Sequence, residues 1–121
     1  MGSRVVLIVD DEEAFLLSLE DGLDLGDDVR LLTAKSGDEA LEIMAREHVD
    51  LVVTDLRMPG MDGLELIERV ERLYEGVAVV AMSAVSVASA DDRLRWCVRF
   101  LEKPVDLDDM GDAIRTLLPA S

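Results

Sequence analysis

Acidic and basic side chains stand where the apolar runs of this chain end. Asp10 and Asp11 follow the first run, Asp55 follows a central run, Ser83 follows the next and Lys103 lies just after the last. A carboxylate cluster that lacks histidine and cysteine suits a hard cation that prefers oxygen ligands, Mg²⁺ before Ca²⁺. An aspartate beside such a cation can attack phosphorus and form an acyl phosphate. The lysine then supplies a point charge and the serine a hydroxyl donor for phosphoryl oxygens.

Short apolar runs must position these side chains. The runs are Val5–Val9, Val29–Ala34, Asp50–Thr54, Val77–Met82 and Val98–Leu101. They are rich in β-branched residues and most do not alternate with polar residues, which is typical of strands buried on both faces of a parallel sheet.

Helical patterns separate the runs. The predicted helices are Glu13–Leu23, one opened by a capping box at Ser36 and Glu39, one opened by Met61-Asp62-Gly63, and Asp106–Leu118. In the third we place Leu64, Ile67, Val70 and Leu73 on the apolar stripe. Val85–Ala90 has a weak helical pattern, so the start and length of a further helix stay open. The β-α alternation predicts an α/β fold with a doubly wound parallel sheet, whose ligands bind at the carboxyl ends of the strands.

Composition bounds the class of protein. The chain has 121 residues, which fits one domain spanning 1–121, with Met1-Gly2-Ser3 either native or a cloning remnant. Its net charge of −15 opposes direct binding to nucleic acid or to anionic lipid. The single cysteine, Cys97, excludes an internal disulfide and a cysteine-based zinc site, and we expect it to be a small core residue. We see no signal peptide or membrane span and expect a cytoplasmic domain.

Four motifs together resemble one family. They are Val9-Asp10-Asp11-Glu12, the stretch Thr54-Asp55-Leu56-Arg57-Met58-Pro59-Gly60-Met61-Asp62-Gly63, Met82-Ser83-Ala84, and Phe100-Leu101-Glu102-Lys103-Pro104. The chain resembles, over nearly its whole length, a receiver domain of bacterial two-component response regulators. The resemblance implies a flavodoxin-like sheet of five strands in the order 2-1-3-4-5 with about five helices. It also implies a phosphorylation-switched signalling domain rather than an enzyme, one that assists its own phosphotransfer and dephosphorylation.

The resemblance also implies a role for each site residue. Asp55 would accept a phosphoryl group, and its metal site would hold Mg²⁺ through Asp55, Asp11, Asp10 (largely through water) and the backbone carbonyl of Arg57. Ser83 and Lys103 would contact the phosphoryl group, the switch would pair Ser83 with Phe100, and the Lys103–Pro104 peptide would be cis. Implied partners are a histidine kinase or phosphotransfer protein, an output domain or downstream protein, and a second copy in a phosphorylation-dependent dimer.

Two other classes of function stay open beside this one. The first is a protein-binding module of the same fold that works without phosphorylation. The second is a phosphatase, which commonly has an Asp-x-Asp motif and a cap domain, whereas here Asp10 is followed by Asp11-Glu12. Trp96-Cys97 stands where the family usually has a Gly-Ala pair, and three arginines crowd nearby: Arg93, Arg95 and Arg99. In the family this region often forms part of the output face, so the resemblance implies that the face around residues 83–100 controls a partner or an output domain.

Overall fold

A computed structural model describes residues 3–84 and 91–118 of the chain. The strands are Arg4–Val9 (β1), Val29–Ala34 (β2), Leu51–Asp55 (β3), Ala78–Ser83 (β4) and Arg99–Glu102 (β5). The helices are Glu13–Gly22 (α1), Gly37–Arg46 (α2), Gly63–Leu73 (α3) and Leu107–Leu117 (α4), with a 3₁₀ helix at Asp92–Trp96. Each predicted strand is present, with ends that shift by at most one residue.

All four strand pairs are parallel, and the sheet order is β2-β1-β3-β4-β5. This confirms the doubly wound, flavodoxin-like sheet. The register keeps the carboxyl ends level, because Val9 pairs with Ala34 on one side and with Thr54 on the other, while Asp55 pairs with Met82. Residues that follow β1, β3, β4 and β5 therefore lie along one edge of the sheet.

Helices cover both faces of the sheet, and each face has its own core. In β1, Val5, Leu7 and Val9 pack in a cluster with residues of α2 and α3. Val6 and Ile8 pack in a second cluster with residues of α1 and α4. The absence of polar alternation in this strand thus reflects burial on both sides.

One predicted apolar stripe is wrong at its end. Leu73 of α3 is 61% exposed, whereas Leu66, which the predicted stripe leaves out, is fully buried with Ile67 and Val70. A helix turns about 100° per residue, so a strict spacing of three drifts about 60° at each step. From residue 64 to residue 73 the drift reaches about half a turn, which carries Leu73 away from the sheet.

Side-chain caps set where three helices begin. The Ser36 hydroxyl accepts the Glu39 amide at 3.1 Å, so the predicted cap of α2 is confirmed. Asp62 and Asp106 cap α3 and α4 in the same way. Each cap satisfies an amide that has no partner inside its helix.

The segment between β4 and β5 departs from a regular helix where it is described. Four α-helices and the 3₁₀ helix at Asp92–Trp96 are found in the described ranges, against about five predicted helices. Val85–Ala90, where the weak helical pattern lies, is outside those ranges. No helix within residues 3–84 and 91–118 has the length and apolar character needed to cross a membrane.

Candidate functional site

Three carboxylates meet at the carboxyl edge of the sheet. Asp10 and Asp11 follow β1, and Asp55 is the last residue of the adjacent β3. One oxygen from each lies within 4.8 Å of the others. Asp10 is fully buried and Asp55 nearly so, while Asp11 is exposed at the mouth of the cluster. The fold therefore brings together the three acidic side chains that the sequence predicted.

Lys103 joins two of these carboxylates. Its Nζ lies 2.6 Å from Asp10 Oδ2 and 3.1 Å from Asp55 Oδ2. Burial opposes the charge of the Lys103 ammonium, but the hydrogen bonds and charges of Asp10 and Asp55 outweigh burial and raise the pKa of this group. Lys103 is thus held protonated between the two aspartates.

The lysine is fixed from several sides. Its backbone amide donates to the Ser83 carbonyl at 2.8 Å, and its Nζ lies 5.2 Å from the centre of the Phe15 ring. The Lys103–Pro104 peptide is cis. A groove of about 230 Å³ opens beside the lysine and is lined by Glu12, Phe15, Ala84, Lys103, Pro104 and Val105. A partner group can approach Lys103 through this groove.

Backbone hydrogen bonds hold Asp55 and the loop after it. The Arg57 amide donates to Asp55 Oδ1 at 3.2 Å, and the Leu56 amide donates to the Met82 carbonyl at 3.0 Å. The Gly63 amide donates to the Leu56 carbonyl at 3.1 Å, which closes the loop at the start of α3. Asp10 is anchored in a similar way, since its Oδ1 accepts the Glu12 amide at 2.9 Å.

The remaining predicted site residues occupy the places expected from the strands. Ser83 is buried at the end of β4, beside Asp55 on β3. Arg57 is exposed two residues after Asp55. Phe100 lies on β5, pairs with Ala81 and is 42% exposed, so its ring faces outward in this conformation. The roles of Ser83, Phe100 and the Arg57 carbonyl stay predictions.

The donor set fits Mg²⁺ better than a softer metal. Octahedral Mg²⁺ has bonds of about 2.1 Å, so opposite ligands lie roughly 4.2 Å apart. Carboxylate oxygens within 4.8 Å of one another need only small side-chain adjustments to reach that spacing. Asp11 is exposed and keeps the cluster open to water, which Mg²⁺ retains in its coordination shell.

Two residues near the site were not assigned to it from the sequence. Phe15 falls within the predicted helix Glu13–Leu23 and was given no role in the site, yet its ring lies beneath Lys103. Gly63 was treated only as part of a motif, yet it contacts the backbone of Asp55. The sequence signal for Gly63 was a glycine directly after a capping aspartate, a pattern that does not show which backbone lies against it. His48 lies away from this site: it is exposed and its Nε2 lies 2.8 Å from Asp50 Oδ1 near the start of β3.

Comparison with protein families gives a match over most of the chain. Residues 6–115 match the family described as response regulator receiver domain. Sporulation initiation phosphotransferase F of Bacillus subtilis (strain 168) is 30% identical over 121 residues, which cover 98% of this chain and 97% of that protein.

Longer relatives and solved structures also match. The transcriptional regulatory protein GlrR of Escherichia coli (strain K12) is 39% identical over 119 residues, covering 96% of this chain but only 26% of GlrR. Among solved structures, the response regulator protein TrrA of Thermotoga maritima, in complex with Mg²⁺-BeF, has a TM-score of 0.78 and 27% identity. That match covers 95% of this chain and 99% of the TrrA chain.

Proposed function

The chain belongs to the response regulator receiver domain family, and from that premise we propose that Asp55 accepts a phosphoryl group from a phosphohistidine of a partner kinase or phosphotransfer protein. Receiver domains are phosphoacceptor signalling domains rather than enzymes with a separate substrate. The observation that carries the proposal is the shared lysine: Lys103 contacts both Asp10 and Asp55 inside a cluster of three carboxylates.

The hydrogen bonds of Asp55 support its proposed role as the nucleophile. Its Oδ2 is paired with Lys103, and its Oδ1 accepts the Arg57 amide, so its two oxygens are held by different partners. In the proposed transfer a carboxylate oxygen of Asp55 bonds to phosphorus as the bond between phosphorus and the imidazole nitrogen breaks. The electron pair stays on that nitrogen. Hydrolysis reverses the modification when water attacks phosphorus and the Asp55 carboxylate leaves.

Asp10, Asp11, Asp55 and the Arg57 carbonyl would hold Mg²⁺ in this proposal. When bound, the metal neutralises phosphoryl charge during transfer, which is the main requirement of phosphoryl-transfer chemistry. Lys103 would add a second positive charge beside Asp55. TrrA was solved in complex with Mg²⁺-BeF. Because the TrrA chain shares this fold, that complex supports the proposal that this site also binds Mg²⁺.

The output would be a change of the face around residues 83–100 that controls an attached or separate partner. The chain spans about a quarter of the length of GlrR and related transcriptional regulators, which supports control of a further domain. It spans nearly all of sporulation initiation phosphotransferase F, which supports transfer to another protein. We propose that this receiver domain acts in the cytoplasm, where it would meet its kinase and its output partner.

Mass spectrometry after treatment with a small phosphodonor and Mg²⁺ tests this proposal. We expect one added phosphoryl group on the wild-type protein and none on Asp55→Asn. Asp62→Asn is the matched control, because it makes the same chemical change at the end of the loop that follows Asp55, and asparagine caps a helix as well as aspartate does. Full labelling of Asp55→Asn would contradict the assignment. Absence of labelling in the wild type would favour the binding module that works without phosphorylation.

A further inference from the structure

Gly63 lies against the backbone of the proposed phosphoacceptor. It is buried as the first residue of α3, directly after the cap Asp62. A Cβ placed on Gly63 would stand 2.0 Å from the Asp55 carbonyl oxygen and 2.6 Å from the Leu56 Cα. Real Cβ atoms essentially never approach another heavy atom closer than 3.0 Å. A side chain here would have to displace the backbone by about 1 Å or more.

The atoms that crowd Gly63 are not free to move aside. The Asp55 carbonyl also accepts the Thr54 hydroxyl at 2.9 Å. The Leu56 amide is bonded to Met82 on the neighbouring strand, and the Leu56 carbonyl accepts the Gly63 amide. Displacement would therefore pull on the end of β3 and on its hydrogen bond to β4.

Space, rather than backbone conformation, requires glycine at this position. The described glycines with positive φ are Gly26, Gly60 and Gly76, and Gly63 is not one of them. Alanine has no conformational penalty here and a higher helix propensity than glycine. The consequence of Gly63→Ala thus comes from the contact with Asp55 and Leu56.

We propose that Gly63 is a positioning residue for phosphorylation, and this rests on the proposed function of Asp55. Its missing side chain lets the start of α3 press on the backbone from Asp55 to Leu56. That contact fixes the direction of the Asp55 carboxylate and the position of Arg57, the residue after Leu56. Misplacing a reacting group by about 1 Å can cost on the order of 100-fold in rate.

Gly37 provides a matched control within the same chain. It is the buried first residue of α2, directly after the cap Ser36. A Cβ on Gly37 would meet Met61 Sδ at 2.7 Å and Met61 Cγ at 2.9 Å. The Sδ and Cγ atoms belong to a flexible side chain that can turn away. The third contact, Met61 Cβ at 3.1 Å, needs a shift of only a few tenths of an ångström, against about 1 Å at Gly63. Gly37→Ala and Gly63→Ala therefore make the same change at the same helical position with different neighbours.

The experiment measures Mg²⁺ affinity by calorimetry and the labelling rate with a small phosphodonor across a range of Mg²⁺ concentrations. Wild type, Gly37→Ala and Gly63→Ala are compared in the same stabilising osmolyte, which favours the folded state. We expect Gly63→Ala to weaken Mg²⁺ binding by about 10- to 100-fold, the usual effect of disturbing groups that orient metal ligands. Labelling at saturating Mg²⁺ should stay about 100-fold slower than in wild type. Gly37→Ala should match wild type in both measurements.

A merely structural role would reduce the amount of labelled protein without changing the Mg²⁺ affinity of the folded molecules. Folded Gly63→Ala with wild-type affinity and wild-type rate at saturating Mg²⁺ would overturn the inference while leaving Asp55 as the acceptor. Gly63→Ala that stays unfolded in osmolyte would also overturn it, because Gly63 would then be required for folding. Wild type that takes no label would instead refute the proposed function.

Discussion

At the scale of single residues, the site contains more negative charge than its own cation can balance. The cluster has three carboxylates, those of Asp10, Asp11 and Asp55. The Lys103 ammonium contacts Asp10 and Asp55 but not Asp11. Two unit charges 4 Å apart interact by about 1 kcal/mol in water and about 4 kcal/mol near a protein surface. A divalent cation relieves the remaining repulsion, so metal binding and local stability should be coupled.

We predict that Asp11→Ala weakens Mg²⁺ binding and slows phosphorylation together. Asp11 is the exposed member of the cluster. Asp10 and Asp55 each accept a backbone amide, whereas Asp11 has no such hydrogen bond within the described residues, so its removal should not disturb the fold. Because the substitution removes a repelling charge, the metal-free variant should be at least as stable as wild type in chemical unfolding.

Asp27→Ala is the control for this prediction, since it removes an exposed carboxylate from the loop before β2 and changes the net charge equally. It should leave Mg²⁺ affinity unchanged. A calorimetric Mg²⁺ titration of Asp11→Ala that overlays that of Asp27→Ala would refute a ligand role for Asp11.

At the scale of elements, the sequence predicted the strands well because the sheet is buried on both of its faces. The strands were identified because Val5–Val9 of β1 and all of β3 are buried, and the strand ends then located Asp10, Asp55 and Lys103. The contact of Phe15 with Lys103 was not predictable, because it depends on how α1 approaches a lysine far away in the chain. The fit of Gly63 against Asp55 depends in the same way on the distance between two elements.

Cys97, in the connection between the 3₁₀ helix and β5, gives a further prediction. Cys97 packs, half-buried, against the core beneath α2 and α3, as expected for a small core residue. Burial raises the pKa of the Cys97 thiol from 9.0 to about 11. The native thiol should therefore hold about a hundredfold less thiolate at pH 8 than an ordinary cysteine, and alkylation should be correspondingly slow.

The rate of alkylation by iodoacetamide, measured by mass spectrometry in native buffer and in denaturant, checks this prediction. The unfolded thiol ionises from about pH 9, whereas the folded thiol ionises only near pH 11. The contribution of this pKa difference to the free energy of unfolding is complete below pH 9 and is lost as the pH rises to 11. Cys97→Ser should lose less free energy of unfolding between pH 9 and pH 11 than wild type does. Equal alkylation rates in the native and denatured protein would contradict a buried thiol.

At the scale of the whole molecule, one face differs in charge from the rest of an acidic chain. Arg95 stacks on Trp96 at 4.5 Å and Arg99 is exposed on the edge strand β5. Arg93 is already engaged, because it pairs with Asp91 at 2.9 Å and with Glu68 of α3 at 3.7 Å. The hydrogen bonds of Arg93 lower the pKa of the Asp91 carboxyl to about 2, so this pair stays charged at physiological pH. Arg95 also donates through Nη1 to the Asp92 carbonyl at 2.8 Å, but both Arg95 and Arg99 are exposed on this face and can meet an acidic partner.

Phosphorylation should change this face through Ser83 and Phe100. A phosphoryl group on Asp55 adds nearly two negative charges and three acceptor oxygens. Ser83, at the end of the adjacent strand, would move towards it, and the exposed ring of Phe100 would turn into the space left beneath the loop. Coupling between sites is typically worth about 1–3 kcal/mol. The unmodified protein should then hold the active arrangement in a minor population, on the order of 0.1–10%.

Hydrogen exchange with and without a phosphoryl mimic, Mg²⁺ with beryllium fluoride, measures this response. We expect protection to change across residues 83–100 as well as around Asp55. Ser83→Ala and Phe100→Ala should each confine the change to the loop after Asp55, because each removes one step of the relay. Thr116→Ala, on the exposed side of α4, should respond as wild type does. If Ser83→Ala keeps the full response at residues 91–100, the phosphoryl group acts on this face by another route and the relay through Phe100 is wrong.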